Sequence, residues 1–404
     1  MKPLDNPTPT SNRYAAWLVA AAFIGPGTVT TASIAGASFS FHVLWALIFS
    51  VFATWIMQDM AVRLGVVTRQ GLSEAIHHSF NIQWLRWLIS ALVIGAIGIG
   101  NAAYEGGNLT GAALGLQQLT GLSMSVWIGI LTISAGFLLW FGHYKLIERV
   151  LVGLVLIMSV LFIITVAVAS PDWSALIASA TQPRFDSATF IVVLALIGTT
   201  IVPYNLFLHA SLVSRFEGEA KQQLQVQRKQ TGIAVVVGGL ITLAIMTTAS
   251  AAFFQSGETL EASNIANQLA PLLGPLASDV FAIGLFAAGL TSAITAPLAA
   301  GYAVCGALRL DTSLTSKPFR IVWVTVMCSG AAVASFGFKP LAAMLFAQAT
   351  NGLLLPIIAI FLLVAMNNKE RLGEYRNNLW MNIMGTAIVL FTLALGLRKF
   401  ITVF

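Results

Sequence analysis

Two short stretches set chain-breaking residues beside side chains that can bind a solute. The first is Gly25-Pro26-Gly27-Thr28, followed by Thr30 and Thr31; the second runs from Gly198 through Thr199 and Thr200 to Pro203 and Tyr204. Glycine and proline free backbone groups from helical hydrogen bonding, glycine lets a ligand approach the main chain, and the hydroxyls both donate and accept. Neither stretch holds a carboxylate, an imidazole or a sulfur, and no Asp, Glu, Lys or Arg lies between Arg13 and Asp59. Asn108, Gln348 and Asn351 can add amides. Glu105 and His209 are ionisable residues deep in apolar sequence, which by default are read as functional. Thr291, Ser292 and Thr295 form a second hydroxyl group in "GLTSAIT". No nucleophile stands beside a base and no metal-ligand spacing occurs, so enzyme chemistry, a catalytic residue and a bound cofactor are not expected. Cys305 and Cys328 sit in or beside apolar sequence and read as small core residues.

The elements that must position these residues are membrane helices. Of 404 residues, 57% are hydrophobic and 9% charged, and the mean hydropathy is +0.86. Windows of about 20 apolar residues, enough to cross ~30 Å of hydrocarbon, recur along the whole chain. They fall at 14–38, 43–65, 86–116, 123–142, 149–170, 188–212, 231–254, 276–306, 320–337, 341–366 and 378–398. With the N-terminus inside, 17 of the 21 Lys and Arg fall on the cytoplasmic side, leaving Arg184, Lys339, Arg398 and Lys399 outside. That bias places the N-terminus in the cytosol, the C-terminus outside and the protein in the inner (cell) membrane. The net charge of +6 is thus a topology signal and implies no nucleic-acid partner. The polar tail 1–13 lacks a signal-peptide core, Ser214–Gln230 reads as a solvated helical linker, and His77, His78 and His143 lie in cytoplasmic loops. Asp59 and Asp279 fall near helix ends.

The breaks lie in the first and sixth segments. Freed backbone is tolerated at membrane depth only where it lines a cavity or binds something. The breaks are offset by five segments, as two five-helix repeats of inverted topology require, and paired broken helices point to a midplane site in a secondary transporter. One transmembrane domain, 1–404, is expected: repeats at 14–170 and 188–366, then an eleventh helix at 378–398. The expected partners are a small inorganic ion and the bilayer, and the expected state is a monomer.

On these residues the chain resembles the Nramp divalent metal transporters. "GASFSFHVLWALIFSVFATWIMQDMAVRLGVVTRQGLSEAI", "KLIERVLVGLVLIM", "LAPLLGPLASDVFAIGLFAAGLTSAITAPLAAG" and "RLGEYRNNLW" are similar to family segments in the same order. The resemblance implies an all-α LeuT-like 5+5 inverted repeat with discontinuous first and sixth helices and one extra helix. It also implies where a metal would sit, and there the chain departs. The family's D-P-G-N corresponds to Gly25, Pro26, Gly27 and Thr28, and its Ala carbonyl and Met sulfur to Thr199 and Val202. The family's D-L-A-E falls on Glu105, Gly106, Gly107 and Asn108, and the imidazole beside its metal on Tyr204, while His209 keeps the later one. Of the family's ninth-helix arginine pair, Arg320 fits one place and Trp323 or Val324 the deeper one.

Transition metals need anionic or imidazole ligands, with sulfur favouring the softer ions. The expected substrate-binding set, Gly25, Gly27, Thr28, Asn108, Thr199, Thr200, Tyr204 and Gln348, is neutral and rich in donors, and no metal-ligating residue is expected in it. It suits a small oxyanion held at helix N-termini, and bicarbonate fits a compact site without an Arg or Lys. An anion entering a negatively polarised cell needs a driving ion, so Na⁺ coupling is expected, with H⁺ the other candidate. Glu105, His209, Thr291 and Ser292 are the candidates for holding that ion, and Glu105 is also a candidate anchor for His209. The alternatives are a divalent cation (Mg²⁺ or Mn²⁺) transporter and a transport-inactive sensor.

Overall fold

A computed structural model describes residues 24–78, 83–141 and 145–403. The tail 1–13, the first half of the opening segment and His143 lie outside that range. The described residues are helical and contain no strand. The principal helices are α1 (Pro26–Phe39), α2 (Leu44–Thr68), α3 (Leu72–His78), α4 (Gln83–Thr120), α5 (Met124–Phe141), α6 (Lys145–Ala169) and α7 (Trp173–Ala180). They continue as α8 (Phe190–Thr200), α9 (Pro203–Val213), α10 (Ala220–Ala249), α11 (Ala277–Leu308), α12 (Lys317–Ser335), α13 (Pro340–Met366) and α14 (Leu379–Val403). Among the described residues ten apolar runs are long enough to cross a membrane. The first, Pro26–Thr68, contains two of the eleven expected segments, separated where Ser40 turns the chain with φ 48° and ψ −131°. The Ser40 hydroxyl is held by Ser250 at 2.9 Å.

Proline sets the helix starts, because a residue without an NH costs nothing in the first turn. α1, α9 and α13 begin on Pro26, Pro203 and Pro340, and α12 has Pro318 in its first turn. Loop contacts sort into two ends of the bundle. At one end Arg184 N donates to His42 O at 3.0 Å and Gln118 Nε2 to Ala262 O at 2.8 Å. At the other, Arg69 bonds Gly218 O at 2.6 Å and Arg371 bonds Gln70 at 2.8 Å. Each end therefore collects loops that eleven alternating spans would put on one side.

Burial separates centre from rim. The run Phe190–Val213, which holds α8 and α9, is 94% buried in its most apolar window, whereas α5 is 22% buried and turns Ile133 and Phe137 outward. Between membrane helices, close backbone approach replaces the hydrophobic drive that water would supply. α8 and α13 meet this way: a β-carbon at Gly198 would overlap the Gln348 carbonyl, and one at Gly352 would lie 2.5 Å from Leu194 O. That contact carries the second break and the α13 amides into the centre.

Candidate ion site at two helix breaks

α8 ends at Thr200, the chain turns through Ile201 and an extended Val202, and α9 restarts at Pro203. α1 starts in the same way after an extended Gly25 (φ −87°, ψ 174°). Neither start has a side-chain cap. Thr28 N and Asn205 N turn back to Gly25 O and Val202 O at 3.1 Å, so the NH groups of Gly27 and Tyr204 and the positive ends of two helix dipoles are left for another partner. Thr28 and Thr199 join the breaks, Oγ1 to Oγ1, at 2.7 Å.

Three further elements close around Gly25 to Thr28. On α13, the Gln348 amide packs on Gly27 where any β-carbon would collide with it. On α4, Gly111 leaves room for the Pro26 ring. On α11 and α4, Ser292 Oγ and Tyr104 OH lie 3.0 and 3.3 Å from where a Gly25 β-carbon would stand. Any side chain at Gly25 would crowd these hydroxyls; glycine keeps them facing the main chain. Tyr104 in turn packs edge-on to Tyr204 of α9, ring centres 5.1 Å apart.

The buried polar atoms here are short of partners. Tyr104 OH lies beside Tyr204 and Gln348, and Tyr204 OH beside Thr295, but none of these contacts is well aligned: Tyr104 OH, Tyr204 OH, Ser292 Oγ, Gln348 Oε1 and Thr31 Oγ1 are all buried without a protein partner in full hydrogen-bonding geometry. Buried polar groups are nearly always satisfied, so a cluster of orphans at one place is the mark of a site for water or an ion. The orphans supply hydroxyl and amide oxygens and their donors only. Among the described residues no group of three or more His, Cys, Asp or Glu stands together.

Not every expected residue reaches this place. Gly25, Gly27, Thr28, Thr199, Tyr204, Gln348 and Ser292 do. Thr200 does not: its hydroxyl bonds back to Leu196 O at 2.9 Å and the residue lines a shallow space with Thr54 and Thr242. Thr291 likewise spends its hydroxyl on Ala287 O at 2.7 Å. Both follow the habit of helical threonine, whose hydroxyl competes for the carbonyl one turn back. Asn108 gives its amide to Glu105 Oε2 at 3.3 Å, and the Glu105 side chain packs on Gly330 of α12. Glu105 is not an anchor for His209, whose Nδ1 pairs with Gln58 Oε1 at 2.8 Å. One residue was missed by the sequence reading. Tyr104 lies one turn from both Asn101 and Asn108 on α4, so an amphipathic ring in line with two amides was the available signal. Cys305 is buried as expected, while Cys328 is exposed on α12.

Residues 16–402 match the family model described as "Natural resistance-associated macrophage protein-like", or Nramp. The chain is similar to the divalent metal cation transporter MntH of Klebsiella pneumoniae, 27% identical over 390 residues that cover 94% of this chain and 91% of that protein. It is also 25% identical over 397 residues to the MntH of Aeromonas hydrophila, covering 96% and 94%. Among solved structures, a point mutant of the Eremococcus coleocola manganese transporter matches with a TM-score of 0.72 at 19% identity, over 99% of this chain and 88% of that one. MhsT, solved in complex with L-phenylalanine, matches with a TM-score of 0.64 at 16% identity, over 98% and 99%. The all-helical LeuT-like fold is thus shared, at identities that carry fold alone.

Proposed function

The chain belongs to the Nramp family and is a multi-pass membrane transporter, not an enzyme; from that premise we propose that its cargo is a small inorganic ion bound between the two helix breaks. The observation that carries this is the ring of buried, unpartnered oxygens from Tyr104, Ser292 and Gln348 around the uncapped start of α1. Alternating access on this fold exposes such a midplane site to each side in turn. The N-terminus is cytoplasmic and the C-terminus outside in this reading.

The geometry favours a singly charged oxyanion such as bicarbonate, moved with Na⁺. Two helix N-termini offer positive dipole ends and free NH groups, and Tyr104 adds a hydroxyl donor beside the mutually bonded Thr28–Thr199 pair, with no carboxylate to repel the anion. Ser292, facing the same break, is the hydroxyl available to a coupling Na⁺.

A second reading rests on the relatives, whose printed names are those of divalent metal cation and manganese transporters. Those names support a divalent cation more directly than they support an anion. The residues here restrict which cation that would be. With hydroxyl, amide and carbonyl oxygens and no formal negative charge, the site suits a hard ion that keeps most of its water, Mg²⁺ ahead of Mn²⁺.

Proteoliposome uptake separates the two. The anion reading expects labelled bicarbonate uptake that rises with an inward Na⁺ gradient and falls when Thr28 or Thr199 is replaced by a bulkier residue. Uptake of Mg²⁺ or Mn²⁺ with no bicarbonate flux establishes the second reading and removes the first.

A further inference from the structure

A cavity of about 610 Å³ opens at the end of α2, α10 and α14, lined by none of the residues at either helix break. It lies at the end of the bundle that gathers most Lys and Arg. Arg63, 4% exposed, forms its floor and is fully engaged: Nε donates to Asp59 at 2.8 Å, and the two terminal nitrogens donate to Tyr375 O at 2.9 Å and Asn377 Oδ1 at 2.7 Å. Arg228 Nε closes on the other Asp59 oxygen at 2.6 Å. Asp59 is thereby neutralised by two guanidiniums. Lys229 and Arg376 line the same cavity and make no side-chain hydrogen bond or ion pair. Of the lining carboxylates only Glu374 remains without an ion-pair partner, so four cations face two acids. The cavity has an excess of positive charge that nothing in the chain uses.

The walls identify the kind of anion. Trp55 and Trp380 line the cavity and are each 47% exposed. From Trp55 an apolar stripe runs away along one face of α2 through Phe52 and Ile48, 40% and 62% exposed, with Phe52 edge-on to Trp380 at 6.4 Å. Tryptophan at the headgroup level and basic pockets between helix ends are how membrane proteins hold acidic lipids. Inorganic phosphate has no use for an adjoining lipid-facing stripe. We propose that this cavity is a binding site for the headgroup of an anionic phospholipid, with Lys229, Arg376 and Arg228 on the phosphate and the acyl chains along Trp55, Phe52 and Ile48. It is separate from the ion site and independent of its cargo.

The test is native mass spectrometry of the full-length protein in a zwitterionic detergent, titrated with phosphatidylglycerol or phosphatidylcholine. Phosphatidylglycerol is expected to be retained preferentially. The Lys229→Gln/Arg376→Gln double variant, which breaks no internal contact, is expected to weaken that retention on the order of tenfold. Glu374→Gln, which removes a carboxylate from the cavity, is expected to strengthen it. Equal retention of the two lipids, or a double variant that binds as wild type does, overturns the proposal. Stabilisation by millimolar inorganic phosphate equal to that by phosphatidylglycerol also overturns it, assigning the cavity to free phosphate.

Discussion

The centre and the rim of this bundle treat polarity in opposite ways. At the charged mouth, Asp59, Arg63 and Arg228 are tied to one another at 2.6 to 2.8 Å, and Arg63 uses all three of its nitrogens. At the helix breaks there is no charged side chain, yet Tyr104, Ser292 and Gln348 each keep a buried atom without a partner. A satisfied cluster holds structure together; an unsatisfied one waits for something that arrives and leaves. Glu105 Oε1 and His209 Nε2 share that property with the neutral residues, so being charged and being satisfied do not coincide in this bundle.

The contrast breaks most severely where backbones touch. Gly198→Val drives a side chain into the α13 main chain and is expected to cost about 3 kcal/mol or more, seen as loss of monodisperse protein or a large fall in Tm. Asp59→Asn should cost ~2 kcal/mol, because Arg63 stays buried and charged with one acceptor weakened. Transport should fall only in proportion to folded protein. The centre should behave in reverse. Tyr104→Phe removes a hydroxyl that makes no well-aligned bond to the protein and lies only loosely beside Tyr204 and Gln348, so folding stability should change by no more than about 1 kcal/mol. Its uptake at low substrate should nevertheless drop roughly tenfold, the equivalent of about 1.4 kcal/mol. A Tyr104→Phe protein that is unstable but transports normally per folded molecule would reverse the assignment.

The smallest effect lies outside both regions. Asp172 caps α7, and the Ser174 hydroxyl, with the Ala175 amide, holds its carboxyl below the usual range. A depressed carboxylate pKa adds stability above the unfolded value, about 3.9, and loses it as pH falls through the folded one. The protection factor of the Ala175 amide, its exchange measured relative to an unstructured peptide at the same pH, should accordingly fall below about pH 4, and Asp172→Asn should remove that dependence.

Much of this was legible in the residues. Segment lengths, the two breaks and the family segments in order gave the LeuT-like bundle, because hydrophobic length and Gly-Pro interruptions are local signals. The site was legible only in part. Thr28 and Thr199 were found because their hydroxyls flank breaks, but Thr200 and Thr291 have the same chemistry and turn back onto their own helices. Which way a helical hydroxyl points depends on packing, which single-sequence spacing does not encode. Tyr104 was missed for the related reason that it sits on an unbroken helix and meets Gly25 only through tertiary contact. Glu105 drew attention by its charge, and the structure turns it toward Gly330 of α12.

The central claim is that the paired breaks form a neutral oxygen-donor site with no fixed negative charge. Calorimetry of the purified protein with Mn²⁺ tests it most directly. No saturable heat is expected at micromolar Mn²⁺, in wild type and in Ser292→Ala alike. Saturable micromolar Mn²⁺ binding that Ser292→Ala or Thr28→Val abolishes would contradict it, placing a transition-metal centre where the described residues offer only hydroxyls, amides and carbonyls.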